Sequence, residues 1–380
     1  MLQFDKLFTM IKITNVYIDK KIETEIEKVL SSKNLVQGEK VKKFEEQLSK
    51  INDAKYAVVV NSGTAALHTA LAAIGITEGG EVITSPFSFI ATVNAILMCG
   101  AKPVFVDVKE DTFTINPDLI ESKISNKTKA ILTVDLYGQA CDYENIRKIA
   151  RKHKLKIVSD SCQAIGACYK NKPISKWVDI ACFSFYATKN ICMGEGGAIV
   201  TNDRKFFEFA RRFRQHGQDM EKPYIYHHIG YNYRSTDILA AIGLMQIRFL
   251  RKWTNKRQSN AKRLISKLKD IPGIILPILA VKGGHVFHQF SIRVTNDFQT
   301  TRDELQQYLL KKGIKTGIYY PATLASQLHI QKITPYKKGM YPVAEKITRE
   351  VLSLPVHPML KNHEIDRIAD AIRGMVNEKN

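Results

Sequence analysis

"SFYATKNICMGEGGAIV", residues 184–200, sets a single lysine, Lys189, a few residues ahead of a Gly-Glu-Gly-Gly run and between two apolar, strand-like pieces. Those pieces close a longer series. Upstream, YAVVV (56–60) precedes the helical TAALHTALAAIG, and EVITS (81–85) precedes FIATVNAILMCG. PVFVDV (103–108), AILTVDLYG (130–138) and KIVSD (156–160) follow with helical segments between or after them, and IACFSFY (180–186) and GAIVTND (197–203) end the series. Continuous Val/Ile-rich runs alternating with helices predict an α/β domain. Its mainly parallel sheet is covered on both faces, because a strand buried on both sides carries no polar alternation.

After Asp203 the pattern changes to helices, DRKFFEFARRFRQ and then a long segment from Thr236 to about Lys269, with a Pro/Gly break at IPGIILP (271–277). A strand in HVFHQFSIRV, a helix from about Thr301, the piece IKTGIYY and two terminal helices complete a smaller C-terminal α+β domain. The expected division is 1–254 for the large domain and 255–380 for the small one, which suits a chain of 380 residues. Met10 begins a second plausible N-terminus, so residues 1–9 read as an extension.

With 44% hydrophobic and 25% charged residues the composition is that of a globular protein. The net charge of +20, from 57 Lys+Arg against 37 Asp+Glu, raises the question of an anionic partner. The densest basic patches (Lys40, Lys42, Lys43; Arg147 to Lys156; Arg248 to Arg263) lie in helix-like segments, however, and read as solvated helix faces. A non-catalytic nucleic-acid-binding protein is the alternative from a different class; it predicts salt-sensitive DNA binding and no chromophore. No run approaches the ~20 apolar residues of a membrane span, and charges interrupt every apolar stretch of the N-terminus, so neither a membrane anchor nor a signal peptide is expected. A cytoplasmic setting follows by default. The six cysteines (99, 141, 162, 168, 182, 192) form no C-x-x-C pair and read as buried thiols, with no metal site.

In open parallel sheets ligands sit beyond the carboxyl ends of the strands. After YAVVV, Ser62, Gly63 and Thr64 open a helix whose free N–H groups and hydroxyls suit a phosphate, although a plain Ser N-cap has the same signature. KIVSD ends on Asp160, with Gln163 one turn on, a pair that can meet a cationic ring nitrogen and an adjacent hydroxyl. Lys189 follows a third strand, five residues after Ser184. It is not a Walker lysine, which needs glycines before it and Ser/Thr directly after, whereas Asn190 follows here. A partly desolvated lysine among strand ends is an amine nucleophile for a carbonyl. Phosphate, pyridinium partner and amine together describe one ligand, pyridoxal 5′-phosphate. Phe89, after the strand EVITS, is placed to stack on its ring. A nicotinamide-binding Rossmann enzyme is disfavoured by the absence of G-x-G-x-x-G after the first strand.

With those residues in hand, the chain resembles the DegT/DnrJ/EryC1/StrS family of pyridoxal-phosphate sugar aminotransferases, of aspartate-aminotransferase (fold type I) architecture. The likeness runs from about Asn15 to the C-terminal helices through NSGTAALHTAL, VITSPFSFIATVNAI, GAKPVFVDV, SDSCQAIGA, CFSFYATKN, GEGGAIV, RQHG, GYNYRSTDILAAIGL and SLPVHP. The resemblance implies that Lys189 binds the cofactor covalently and that Asp160 keeps the pyridine nitrogen protonated, with Gln163 near the ring hydroxyl. It makes Ser184, Gly63 and Thr64 phosphate ligands and Phe89 the aromatic cover. It further implies that Asn232 reaches the phosphate of a neighbouring subunit's cofactor, which requires a homodimer. His329 and Arg234 are candidate substrate contacts.

Two places depart from the family pattern. Cys192 and Met193 stand where two threonines are common, and SDSCQA stands where an acidic residue and alanines flank the aspartate. The activity implied is ping-pong transamination from L-glutamate, giving 2-oxoglutarate, to a keto sugar linked to a nucleoside diphosphate. A dehydratase of the same fold carries histidine in place of the lysine, so Lys189 argues against it, while a cyclitol aminotransferase stays open.

Overall fold

The computed structural model describes residues 10–278 and 284–377; the extension read at 1–9 lies outside them. In chain order the first body comprises α1 (Lys20–Ser32), α2 (Glu39–Ile51), β1 (Tyr56–Val60), α3 (Gly63–Ala73), β2 (Glu81–Thr84), α4 (Ala91–Met98), β3 (Lys102–Phe105), β4 (Thr128–Val134), α5 (Tyr143–Lys152) and β5 (Lys156–Asp160). A small hairpin, β6 (Cys168–Tyr169) and β7 (Lys172–Pro173), precedes β8 (Ile180–Ser184), β9 (Gly197–Thr201), α6 (Arg204–Phe213), α7 (Asp237–Gln246) and α8 (Leu250–Leu268). There follow β10 (Ile274–Ile275), β11 (Phe290–Val294), α9 (Arg302–Lys311), α10 (Leu328–Gln331), α11 (Pro342–Glu350), β12 (Val351–Leu354) and α12 (Asn362–Asn377).

Seven strands form the central sheet in the order β1-β9-β8-β5-β4-β2-β3. The pairs β2/β3, β2/β4, β4/β5 and β5/β8 are parallel, whereas β9 runs antiparallel to both β8 and β1. The expected mainly parallel α/β sheet is therefore present, with one strand reversed. Because only β9 is reversed, β1, β5 and β8 all end on the same edge, and the residues after them converge. Their burial explains the apolar runs: Val58, Val59, Val60, Ile180 to Phe183 and Ala198 to Val200 are all nearly inaccessible. One face packs α2, α5, α7 and the start of α8; the other packs α3, α4 and α6.

The second body is built on the antiparallel sheet β10-β11-β12, packed by α8, α9 and α12. Residue 254 falls inside α8, which contributes Leu250 and Trp253 to the first core and Ala261, Leu264 and Leu268 to the second. Ile11, from the start of the chain, also belongs to the second core and bridges in parallel to Ile314. The six cysteines are free, and no helix among the described residues is long and apolar enough to cross a membrane.

Candidate active site

The turns after β1, β2, β5 and β8 open onto one cavity of ≈ 390 Å³, closed on the opposite side by His288, Gln289, Tyr319 and Tyr320 of the second body. Ser62, Gly63, Thr64, Phe89, Asp160, Gln163, Ser184 and Lys189, scattered over 128 positions of sequence from Ser62 to Lys189, all line it.

At the β1–α3 turn Ser62 is extended, and its hydroxyl accepts the Ala65 N–H at 3.1 Å, so Ser62 is the N-cap of α3. The first-turn N–H groups of Gly63 and Thr64 have no partner within the helix and mark its positive end, which suits an anion. A Cβ on Gly63 would lie 2.9 Å from Ser184 Cβ and 3.0 Å from Cys162 Sγ. Only glycine leaves that floor open.

Asp160 is 6% exposed and held from both sides: Thr92 donates from Oγ1 to Oδ2 at 2.7 Å, and the Cys162 N–H donates to Oδ1 at 3.2 Å. The Ser88 and Thr92 hydroxyls are 2.7 Å apart, extending the chain of hydrogen bonds. A carboxylate pinned in this way keeps lone pairs for a cationic N–H in the cavity. Gln163 accepts the Tyr137 N–H at 2.7 Å and donates from Nε2 to Tyr320 Oη at 3.2 Å, which fixes its amide plane.

Lys189 sits on a tight loop whose N–H donates to the Tyr186 carbonyl at 2.9 Å. The side chain is half-buried, and burial pushes its amine below the ordinary lysine pKa, opposed by the nearby Cys162 thiol and Asp160 carboxylate. His288 is buried, with Nδ1 3.2 Å from Asn190 Oδ1. Burial first, and then the charge of Lys189, hold it well below the usual histidine pKa, so it is neutral. Phe89 is 54% exposed at the cavity mouth, its ring 6.1 Å from that of Tyr320.

The glycines after Lys189 serve the chain path. Gly197 lies in the sheet between Val60 and Ser184, and a Cβ there would stand 2.2 Å from the Ser62 carbonyl oxygen. That contact is with the β1–α3 turn, so the close approach is backbone to backbone. Cys192 and Met193 are both buried, Cys192 with its N–H on Gln246 Oε1 at 2.9 Å and Met193 packed toward Gly243 of α7. Neither lines the cavity.

Asn232, Arg234 and His329 are not among the residues lining it. Asn232 is exposed, with its backbone carbonyl accepting from Asn61 Nδ2 at 3.3 Å; Arg234 is half-buried; His329 is exposed on α10. Sequence reasoning passed over Ser88, Thr92, Tyr320 and His288. The first two had a signal, four residues apart in SPFSFIATVNAI and so on one side of a helical turn, directly after a strand end.

A fixed carboxylate, a desolvated amine, a helix N-terminus with a hydroxyl beside it and an exposed aromatic cover are the donor set that pyridoxal 5′-phosphate requires. The fold and the cavity define a pyridoxal-phosphate aminotransferase. The chain belongs to the DegT/DnrJ/EryC1/StrS aminotransferase family, whose model matches residues 16–373. It is 40% identical to the pleiotropic regulatory protein of Geobacillus stearothermophilus, over 92% of this chain and 93% of that one. It is 35% identical to the UDP-2-acetamido-2-deoxy-3-oxo-D-glucuronate aminotransferase of Pseudomonas aeruginosa, over 96% and 99% of the two chains. The structure matches that of NtdA from Bacillus subtilis with bound cofactor PMP at a TM-score of 0.90, with 31% identity over 99% of this chain and 87% of that one.

Proposed function

We propose that this protein moves an amino group from L-glutamate to the keto carbon of a nucleotide-linked 3- or 4-keto-deoxysugar, in the cytoplasm and as a homodimer, for the synthesis of aminosugars in cell-surface glycans. The observation that carries the reading is the meeting of Lys189 with Asp160 and the α3 N-terminus in one cavity. The substrate class is supported by the Pseudomonas aeruginosa relative, named for a 3-oxo nucleotide sugar.

When bound, pyridoxal 5′-phosphate supplies an aldehyde that condenses with amines and a cationic ring that takes up the electrons released at the neighbouring carbon. Gly63, Thr64 and Ser184 hold the phosphate, Phe89 covers the ring, and Gln163 stands at the ring hydroxyl. Asp160, oriented by Thr92 and Cys162, keeps the ring nitrogen protonated. Lys189 provides the amine that anchors the cofactor and, once released, the base that takes a proton from the donor's α-carbon and returns one to the acceptor. It must be neutral to do so, and its lowered pKa makes the neutral form available at lower pH than for an ordinary lysine. Asn232 of each subunit reaches the other's phosphate.

The purified protein should carry an absorption band above that of its aromatic residues which glutamate bleaches, and Lys189→Ala should lack that band. Added 3-keto and 4-keto nucleotide sugars should restore it in the wild type. A colourless protein indifferent to both glutamate and added cofactor would overturn the proposal.

A further inference from the structure

Asp135 is the first residue past β4, and nothing in the chemistry above uses its carboxylate. Its backbone N–H donates to the Asp160 carbonyl at 3.0 Å, which ties the ends of β4 and β5 together. Its side chain is fully buried, yet three donors from different parts of the fold converge on it. Tyr143 Oη, from α5, lies 2.8 Å from each oxygen; Ser161 Oγ donates to Oδ2 at 2.6 Å; the Cys141 N–H donates to Oδ1 at 2.9 Å. Ser159 Oγ, 2.9 Å from Ser161 Oγ, continues the network. Ser161 belongs to SDSCQA, the stretch that departs from the family pattern.

The turn on which Ser161 sits carries both proposed ring contacts. Ser161 lies between Asp160 and Cys162, the residue whose N–H holds Asp160 Oδ1. Two residues after Asp135, the Tyr137 N–H holds Gln163 Oε1. The Asp135 carboxylate, which does not line the cavity, therefore grips the two turns that present Asp160 and Gln163.

We propose that Asp135 is a positioning residue for the cofactor ring: through Ser161 and the β4–β5 backbone tie it sets the 160–163 turn, and with it the orientation of Asp160 and Gln163. This rests on the ring placement proposed above.

A pH signature follows. The titratable groups that face the carboxylate are the Cys141 thiol of its own loop and the Tyr143 phenol of α5, both pushed up by burial, with Asp160 beyond the backbone tie. Burial raises Asp135 itself from 3.8 to about 6, against the lowering pull of its donors. As pH falls through that value the carboxylate loses its charge, one oxygen becomes a donor, and the bonds it accepts from Ser161, Tyr143 and Cys141 lose their charge assistance. The sign for stability is opposite to the sign for the site. A carboxyl whose pKa is raised on folding contributes more stability when protonated, so below about 6 the fold gains from Asp135 while the turn loses its grip. A merely structural carboxylate would move stability and cofactor binding together.

The test is the dissociation constant of pyridoxamine 5′-phosphate from the full chain, followed above and below the Asp135 pKa, with melting temperature as the second readout. Ser161→Ala should weaken binding about tenfold, and because it takes a donor from a buried carboxylate it should also lower the melting temperature at neutral pH. Asp135→Asn, whose amide oxygen accepts from Cys141 and Tyr143 while its nitrogen donates to Ser161, should bind nearly as wild type at neutral pH. It should also lack the wild-type weakening on acidification; the ligand phosphate titrates in both proteins and cancels. Wild-type affinity in Ser161→Ala, or an unchanged acid weakening in Asp135→Asn, would overturn the inference. Asp160→Asn separates the two levels: if it too binds normally, the ring placement has failed, whereas if it alone is weakened, only the role of Asp135 has.

Discussion

Lys189 owes its readily available neutral amine to incomplete solvation, and this has a cost in the cofactor-free protein. Its folded pKa lies below the ordinary lysine value, so its contribution to stability is lost as pH falls through that folded value and the buried amine takes up a proton. Lys189→Met should therefore raise the melting temperature of the cofactor-free protein at neutral pH while abolishing the chromophore, and calorimetry on stripped samples checks both signs. Thr92 acts one bond away. Thr92→Val removes the donor to Asp160 Oδ2 and should weaken pyridoxamine 5′-phosphate binding by about 1.5–3 kcal/mol, measured by equilibrium dialysis. Lys189, Asp160 and Ser62 to Thr64 were legible because each follows an apolar run that could only be a strand. Tyr320 was not. It meets Gln163 across 157 residues of chain, and no local pattern encodes such a distance.

At the level of elements, hydrophobic runs reveal strands but not their directions. GAIVT is buried throughout, and a strand covered on both faces reads the same in either sense, so the reversal of β9 was invisible. The long helix expected from Thr236 onward is broken into α7 and α8 by a 3₁₀ turn at Ile247–Phe249, which contains no glycine or proline to mark it. VLSL, following α11 directly, is not among the strands expected from the sequence and is β12. Two changes test how elements are joined. Gly197→Ala drives a methyl into the Ser62 carbonyl and should cost roughly 1–3 kcal/mol in denaturant unfolding. Asp237, on the first turn of α7, accepts the N–H groups of Gly38, Lys40 and Val41 at 2.9, 3.1 and 3.0 Å and so caps α2 from far along the chain. Asp237→Ala should cost about 2 kcal/mol by the same measurement.

For the whole molecule, the surface is as informative as the core. Tyr224 and Ile229 are 81% and 82% exposed on the segment leading to Asn232, a large apolar display for a monomer. If each Asn232 completes the opposite subunit's site, Lys189→Ala and Asn232→Ala proteins are complementary. Dissociated, mixed in equal amounts and reassociated, they should regain about a quarter of wild-type activity, because half the dimers are then mixed and each mixed dimer has one intact site. No recovery, with subunit exchange verified by light scattering and mass labelling, would show that the sites are self-contained. The seat of Ile11 against Ile314 has a consequence for biosynthesis. Ile11 is a structural part of a body whose other core residues run from Ala261 onward, so during synthesis it has nothing to dock on until Ile314 has emerged from the ribosome. The two halves of that contact are thus made at well-separated times, and the second body closes only when the later one arrives.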